Sequence, residues 1–184
     1  MKRTFIAAPI SDEVRELIRR IRLEIHGLEN VVRLVKPEFA HITLKFIGDT
    51  SENDFESIVE TIKRSLKNVS PFEVIIENTG VFPTPANPRV LWLGISEGIS
   101  QLEKISNFLN REISKIGYPK EKRSFKGHIT VGRVKNKHSS FSVVKKFLNF
   151  SYDPISFFVE KIIFYESVLR PDGAKYYPIY EIKI

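Results

Sequence analysis

Nothing in this chain restricts its architecture more than a phrase that occurs twice. Ala40-His41-Ile42-Thr43-Leu44-Lys45-Phe46-Ile47-Gly48 is echoed 87 residues later by Gly127-His128-Ile129-Thr130-Val131-Gly132-Arg133. In an extended strand alternate side chains point to opposite faces, so His41 and Thr43 share one face while Ile42, Leu44 and Phe46 share the other. His128 and Thr130 pair in the same way, backed by Ile129 and Val131. An apolar face seeks a core, and a face carrying His and Thr seeks water, a ligand or a hydrogen-bonding partner. A single His-x-Thr is well explained as a strand residue satisfied by its neighbours. Two of them with matching apolar parity point instead to two strands facing one another across a single cleft, which is the expected active site.

The order of elements around the two phrases is also repeated. A first strand at 3–9 leads to Ser11, a helix cap followed by Asp12 and Glu13, with Val14, Leu17, Ile18, Ile21 and Ile25 at helical spacing. A short strand at 31–35 precedes the first His-x-Thr strand. A second helix runs from Ser51 and Asp54 to about residue 67, with Phe55, Ile58, Val59, Ile62 and Leu66 as its buried stripe. A strand at 72–78, a proline-stiffened loop at 80–89 and a strand at 90–95 follow. Leu102, Ile105, Phe108, Leu109 and Ile113 mark a third helix, and the basic loop 120–126 enters the second His-x-Thr strand. A short helix at 141–148, burying Val144 and Phe147, and closing strands at 156–167 and 176–184 complete the chain. Strand and helix alternate in both halves without a flexible linker. The expected architecture is α+β: one domain over 1–184, built of two pseudo-symmetric lobes, each an antiparallel sheet with helices on its outer face, around a central cleft.

Composition narrows the chemistry. The 184 residues include no Cys, which removes disulfides, thiolate catalysis and the usual structural zinc sites. The net charge of +7 and pI near 9.5 suit an anionic partner such as nucleic acid, and on charge alone a merely basic, soluble protein fits equally well. No apolar run reaches the roughly 20 residues of a membrane span, and the opening residues read as a strand rather than a signal peptide. A cytoplasmic protein is expected, and a monomer, since no long heptad pattern is present.

Two histidines at one reacting centre suit proton transfer near neutral pH, one accepting and the other donating. Thr43 and Thr130 can donate hydrogen bonds to the non-bridging oxygens of a phosphate, and Lys45, Lys126 and Arg133 could add positive charge. Arg133, five places beyond His128, falls on the back face by simple parity, so that role needs a twist or bulge in the strand. Phe125 and Phe82 are the aromatic residues available to stack on a base, against a core role for each. No metal is called for, because neither motif carries a second His or a carboxylate at ligand spacing. No cofactor fingerprint appears, neither a Gly-x-Ser-x-Gly elbow nor a P-loop or dinucleotide glycine pattern.

The segment from Val35-Lys36-Pro37-Glu38-Phe39 through the first His-x-Thr strand, Gly80-Val81-Phe82-Pro83, Pro88-Arg89-Val90-Leu91-Trp92-Leu93-Gly94, and Phe125-Lys126 leading into the second motif together resemble the bacterial and archaeal 2′-5′ RNA ligases, also called RNA 2′,3′-cyclic phosphodiesterases. These belong to the two-histidine phosphoesterase superfamily. The likeness continues to Ser167-Val168-Leu169-Arg170-Pro171-Asp172-Gly173-Ala174-Lys175-Tyr176, nearly the whole chain. The resemblance implies an enzyme acting on RNA with a 2′,3′-cyclic phosphate end. Water opens the ring to a 2′-phosphate, and in the other sense a 5′-hydroxyl attacks it to make a 2′-5′ linkage without ATP. It implies His128 as base and His41 as acid, an assignment the near-equivalence of the strands leaves open to exchange. Thr43 and Thr130 would hold the phosphate, with Arg133 beside them. The competing readings are a non-catalytic RNA-binding module and a two-histidine phosphoesterase for a different nucleotide.

Overall fold

The computed structural model describes every residue except 29, 137, 138 and 172. Asp172, in the connection between the closing strands, therefore lies outside the described residues. Among those described, the chain forms nine strands and four α-helices. The first half supplies β1 (Lys2–Pro9), α1 (Asp12–Glu24), β2 (Val32–Leu34), β3 (His41–Thr50) and α2 (Phe55–Ser65). The second supplies β4 (Phe72–Thr84), β5 (Asn87–Glu97), α3 (Ile99–Lys115), β6 (His128–Val134), α4 (Phe141–Leu148), β7 (Ile155–Val159), β8 (Lys161–Arg170) and β9 (Gly173–Lys183).

Local chemistry sets the boundaries. The hydroxyl of Ser11 accepts the amide of Val14, and Asp12 and Glu13 stand in the first turn of α1, where the helix dipole favours negative charge. Val14, Leu17, Ile18 and Ile21 then fall on its buried side. Two elements differ from the sequence expectation. The proline-rich 80–89 segment is a hairpin, with β4 running to Thr84 and β5 starting at Asn87. Pro83 and Pro88 face each other beside a register shift at Phe82/Pro83, where a missing N–H costs the ladder least. The expected strand at 156–167 is two strands broken at Glu160, because β7 pairs with β4 while β8 pairs with β1. No Gly or Pro marks that break, so its alternation reads as continuous.

The strand order is β7-β4-β5-β6-β3-β1-β8-β9, with β2 added to β6. Outward from the middle, one half reads β3, β1, β8, β9 and the other β6, β5, β4, β7. In each half a strand is followed by a helix and a His-x-Thr strand by another: β1-α1 and β3-α2 in the first, β5-α3 and β6-α4 in the second. The α+β class with two pseudo-symmetric halves is what the chain adopts, and the halves share one sheet. The two His-x-Thr strands, β3 and β6, meet at one ladder pair, Ile42 opposite Ile129, and β2 crosses to the far end of β6. Both isoleucines are fully buried in the core that the apolar sides of all four helices cover. Burial of each contributes about 1.5–3 kcal/mol. The pair that joins the two His-x-Thr strands therefore fixes which side of each motif faces inward, leaving the histidines on the opposite, open face.

Candidate active site

Counting outward from Ile42 and Ile129, an antiparallel ladder sets His41 opposite Thr130 and Thr43 opposite His128. The two histidines are diagonal neighbours, roughly 7–8 Å apart at the backbone. The sequence expectation had the strands on opposite walls of a cleft. They are adjacent strands of one sheet instead, and the local twofold through the isoleucine pair puts one imidazole and one threonine on each side of it. Thr43 and Thr130 are half-buried, and among the described residues neither hydroxyl has a hydrogen-bond partner.

Each imidazole is held by the same device. Nδ1 of His41 lies 2.7 Å from the carbonyl oxygen of Phe39, and Nδ1 of His128 lies 2.6 Å from that of Lys126. A carbonyl can only accept, so each Nδ1 carries the proton and each neutral ring keeps its lone pair on Nε2. Aromatic rings wall both sides. Phe5 and Tyr176 stand 4.8 and 5.1 Å from the His41 ring, and Phe82 stands 5.0 Å from the His128 ring. Phe82 in turn leans on Trp92, 5.0 Å away. The indole fits only because residue 80 is glycine, since a Cβ there would lie 2.1 Å from its ring.

These walls set the protonation states. Burial lowers the pKa of His41 from the ordinary 6.5 to about 4, against the opposing Phe39 hydrogen bond and aided by the charges of His128 and Arg133. His128 is also lowered, first by burial and then by Arg133, with its Lys126 hydrogen bond opposing. Burial raises the hydroxyls of Tyr165 and Tyr176, so both are neutral donors at physiological pH.

Beyond the threonines the strands slip. In β3 the register steps from Thr43 to Lys45 against consecutive residues of β1, leaving Leu44 as the extra residue. In β6 it steps from Thr130 to Gly132 against β5, leaving Val131 extra. Each bulge reverses the parity that follows. Arg133 thereby reaches the histidine side, exposed and close enough for its charge to act on both imidazoles and Tyr176. Phe46, grouped with the core residues by simple alternation, is 48% exposed on that same side, with Arg3 over its ring at 4.7 Å. Lys45 goes the other way. Only 4% exposed, its ammonium donates to Asn110 Oδ1 at 2.8 Å and the Pro119 carbonyl at 2.7 Å. It ties β3 to α3 and is not brought to the site. Nor is Phe125, which packs against the core beside Ile95 and Ile99, whereas Lys126 stays exposed with its ammonium 5.7 Å above Phe82.

The site offers two imidazoles, two free hydroxyls and a guanidinium. Among the described residues no three His, Asp or Glu side chains gather as a metal-ligand set. No helix among them is long and apolar enough to cross a membrane.

Residues 10–169 match the model of the 2′-5′ RNA ligase superfamily. The chain is 34% identical over 175 residues to an RNA 2′,3′-cyclic phosphodiesterase of Archaeoglobus fulgidus, covering 95% of this chain and 96% of that protein. A protein of the same name from Thermotoga maritima is 31% identical, covering 97% and 94%. Among solved structures, TT0787 of Thermus thermophilus superposes with a TM-score of 0.79 at 21% identity, covering 98% of this chain and 97% of that one. Escherichia coli LigT complexed with 3′-AMP superposes with 0.78 at 22%, covering 100% and 98%. At that identity the structures speak for the fold, and the sequence matches speak for the family: the chain belongs to the 2′-5′ RNA ligase superfamily.

Proposed function

We propose that the protein is an RNA 2′,3′-cyclic phosphodiesterase, opening a terminal cyclic phosphate to a 2′-phosphate. The observation that carries this reading is the Ile42–Ile129 pair, which sets one imidazole on each side of a local twofold. In-line displacement at phosphorus places the attacking and departing oxygens on opposite sides of the atom, the arrangement two imidazoles so related can serve. The name borne by the Archaeoglobus and Thermotoga relatives supports the same substrate.

In this mechanism Nε2 of His128 takes a proton from water as its oxygen bonds to phosphorus. The bond from phosphorus to the 3′-oxygen breaks, and Nε2–H of His41 protonates the departing oxygen. Thr43 and Thr130 donate to the two non-bridging oxygens, and Arg133 adds positive charge beside them. Relief of ring strain drives the step. Replacing water by a 5′-hydroxyl gives a 2′-5′ linkage by the same proton transfers, so ATP-independent ligation is available to the site.

The test is incubation of purified protein with RNA carrying a 2′,3′-cyclic phosphate, in excess chelator. Release of a 2′-phosphate end, lost on replacing either His41 or His128 with Ala while RNA binding persists, supports the reading. Activity that disappears with chelator and returns with a metal ion, or function retained by both histidine variants, overturns it.

A further inference from the structure

Arg33 and Arg133 are direct partners in the β2–β6 ladder. Like charges directly opposite one another destabilise a sheet, and among the described residues neither guanidinium has an acidic partner. Both side chains are on the histidine side of the sheet. A Cβ at Gly132 would lie 3.0 Å from Val32 Cγ2 and 3.1 Å from Leu34 Cδ2, which puts those two apolar neighbours of Arg33 on the inward face and Arg33 on the other. Arg33 is exposed, as is Arg133. The pair thus presents two uncompensated cations at the end of β6 that leads away from His128. Arg133 is close enough to influence both imidazoles, and Arg33 stands on the next strand, β2, opposite it.

Resting on the cyclic-phosphate reading of the site, we infer that Arg33, reached past Arg133, forms a second phosphate subsite that binds the phosphodiester immediately 5′ of the terminal nucleotide. An anion between the two guanidiniums removes the repulsion their pairing imposes, and guanidinium forks match the oxygens of a phosphodiester. The subsite gives the protein a way to tell an RNA chain from a mononucleotide, which the two His-x-Thr motifs, addressing only the cyclic phosphate, do not provide.

The test compares a nucleoside 2′,3′-cyclic monophosphate with a dinucleotide ending in a 2′,3′-cyclic phosphate, and with the same dinucleotide bearing an uncharged methylphosphonate internucleotide linkage. For the wild-type protein, KM is lower for the charged dinucleotide than for either other substrate. Arg33→Ala raises KM for the charged dinucleotide about tenfold or more, with kcat unchanged, and leaves both other substrates within twofold of wild type. Arg33→Lys recovers part of the loss. An equal effect of Arg33→Ala on all three substrates, or no effect on any, overturns the subsite while leaving the phosphodiesterase reading intact. Failure of the wild-type protein to open any of the three defeats the reading on which the subsite rests.

Discussion

Leu44 and Val131 are the extra residues of two equivalent bulges, each three places after a histidine of the site. Because of them the fifth residue after each histidine, Phe46 on one strand and Arg133 on the other, comes up on the histidine face instead of entering the core. The two halves then offer unlike partners from like positions, an apolar ring and a cation. Arg133→Ala is expected to lower kcat/KM on cyclic-phosphate RNA by about tenfold or more through loss of a charged contact to phosphate. Phe46→Ala is expected to act on KM with kcat largely kept, as for a stacking surface. Steady-state kinetics of the two variants separate these effects, and a fall in kcat alone for Phe46→Ala would assign the ring a different job.

The depressed histidines dictate a pH dependence. In the free protein both rings are neutral at pH 7, yet the proposed mechanism requires one of them to carry a second proton. The fraction of correctly protonated enzyme falls as pH rises, so kcat/KM, which reports the free enzyme, is expected to decline by up to tenfold per unit above about pH 6.5. The bound phosphate's negative charge favours the imidazolium, so the corresponding fall in kcat appears at higher pH. A kcat/KM that is flat between pH 6 and 8 would contradict the assignment.

Stability carries the same signature with a definite sign. The unfolded chain protonates His41 near 6.5 and the folded chain only near 4, so between those values the unfolded state binds more protons. The folded state is favoured fully above pH 6.5 and loses up to about 3 kcal/mol from this residue as pH falls toward 4. Urea unfolding at pH 7 and pH 4.5 should therefore show a smaller acid loss for His41→Gln than for wild type. Equal losses would mean that His41 is protonated in the fold as easily as in the open chain.

The sequence exposes the site where it follows simple alternation and hides it where alternation fails. His41, Thr43, His128 and Thr130 obey the period of two on either side of an isoleucine, so their shared face is readable. One residue later the bulges intervene, and the same rule assigns Phe46 to the core. Nothing in Thr43-Leu44-Lys45 announces a bulge, since a lysine at an outward position is ordinary, and in Thr130-Val131-Gly132 the only hint is a glycine inside a strand. The aromatic walls are hidden for another reason. Phe5, Tyr165 and Tyr176 come from β1, β8 and β9, whose approach to His41 depends on strand order. That order required the break at Glu160, which leaves no local mark.

Lys45 tests the bulge most directly, because without it the lysine would share a face with His41 and could touch phosphate. With it, the ammonium is buried and donates to Asn110 and the Pro119 carbonyl, and burial lowers its pKa. Lys45→Met keeps the length of the side chain but leaves the Pro119 carbonyl without its donor, while Asn110 Oδ1 keeps the amide of Glu121, an expected loss of about 1–3 kcal/mol in unfolding free energy. Pro119 immediately precedes the loop that ends at Lys126, whose carbonyl orients His128. Loosening this anchor would reach the second histidine only through that loop. The variant should therefore lose stability while its kcat at 25 °C stays within a few fold of wild type and the salt dependence of its KM is unchanged. Were Lys45 a phosphate contact, the pattern would be the reverse: KM would rise and its salt dependence weaken by about one counterion, with the unfolding midpoint unmoved.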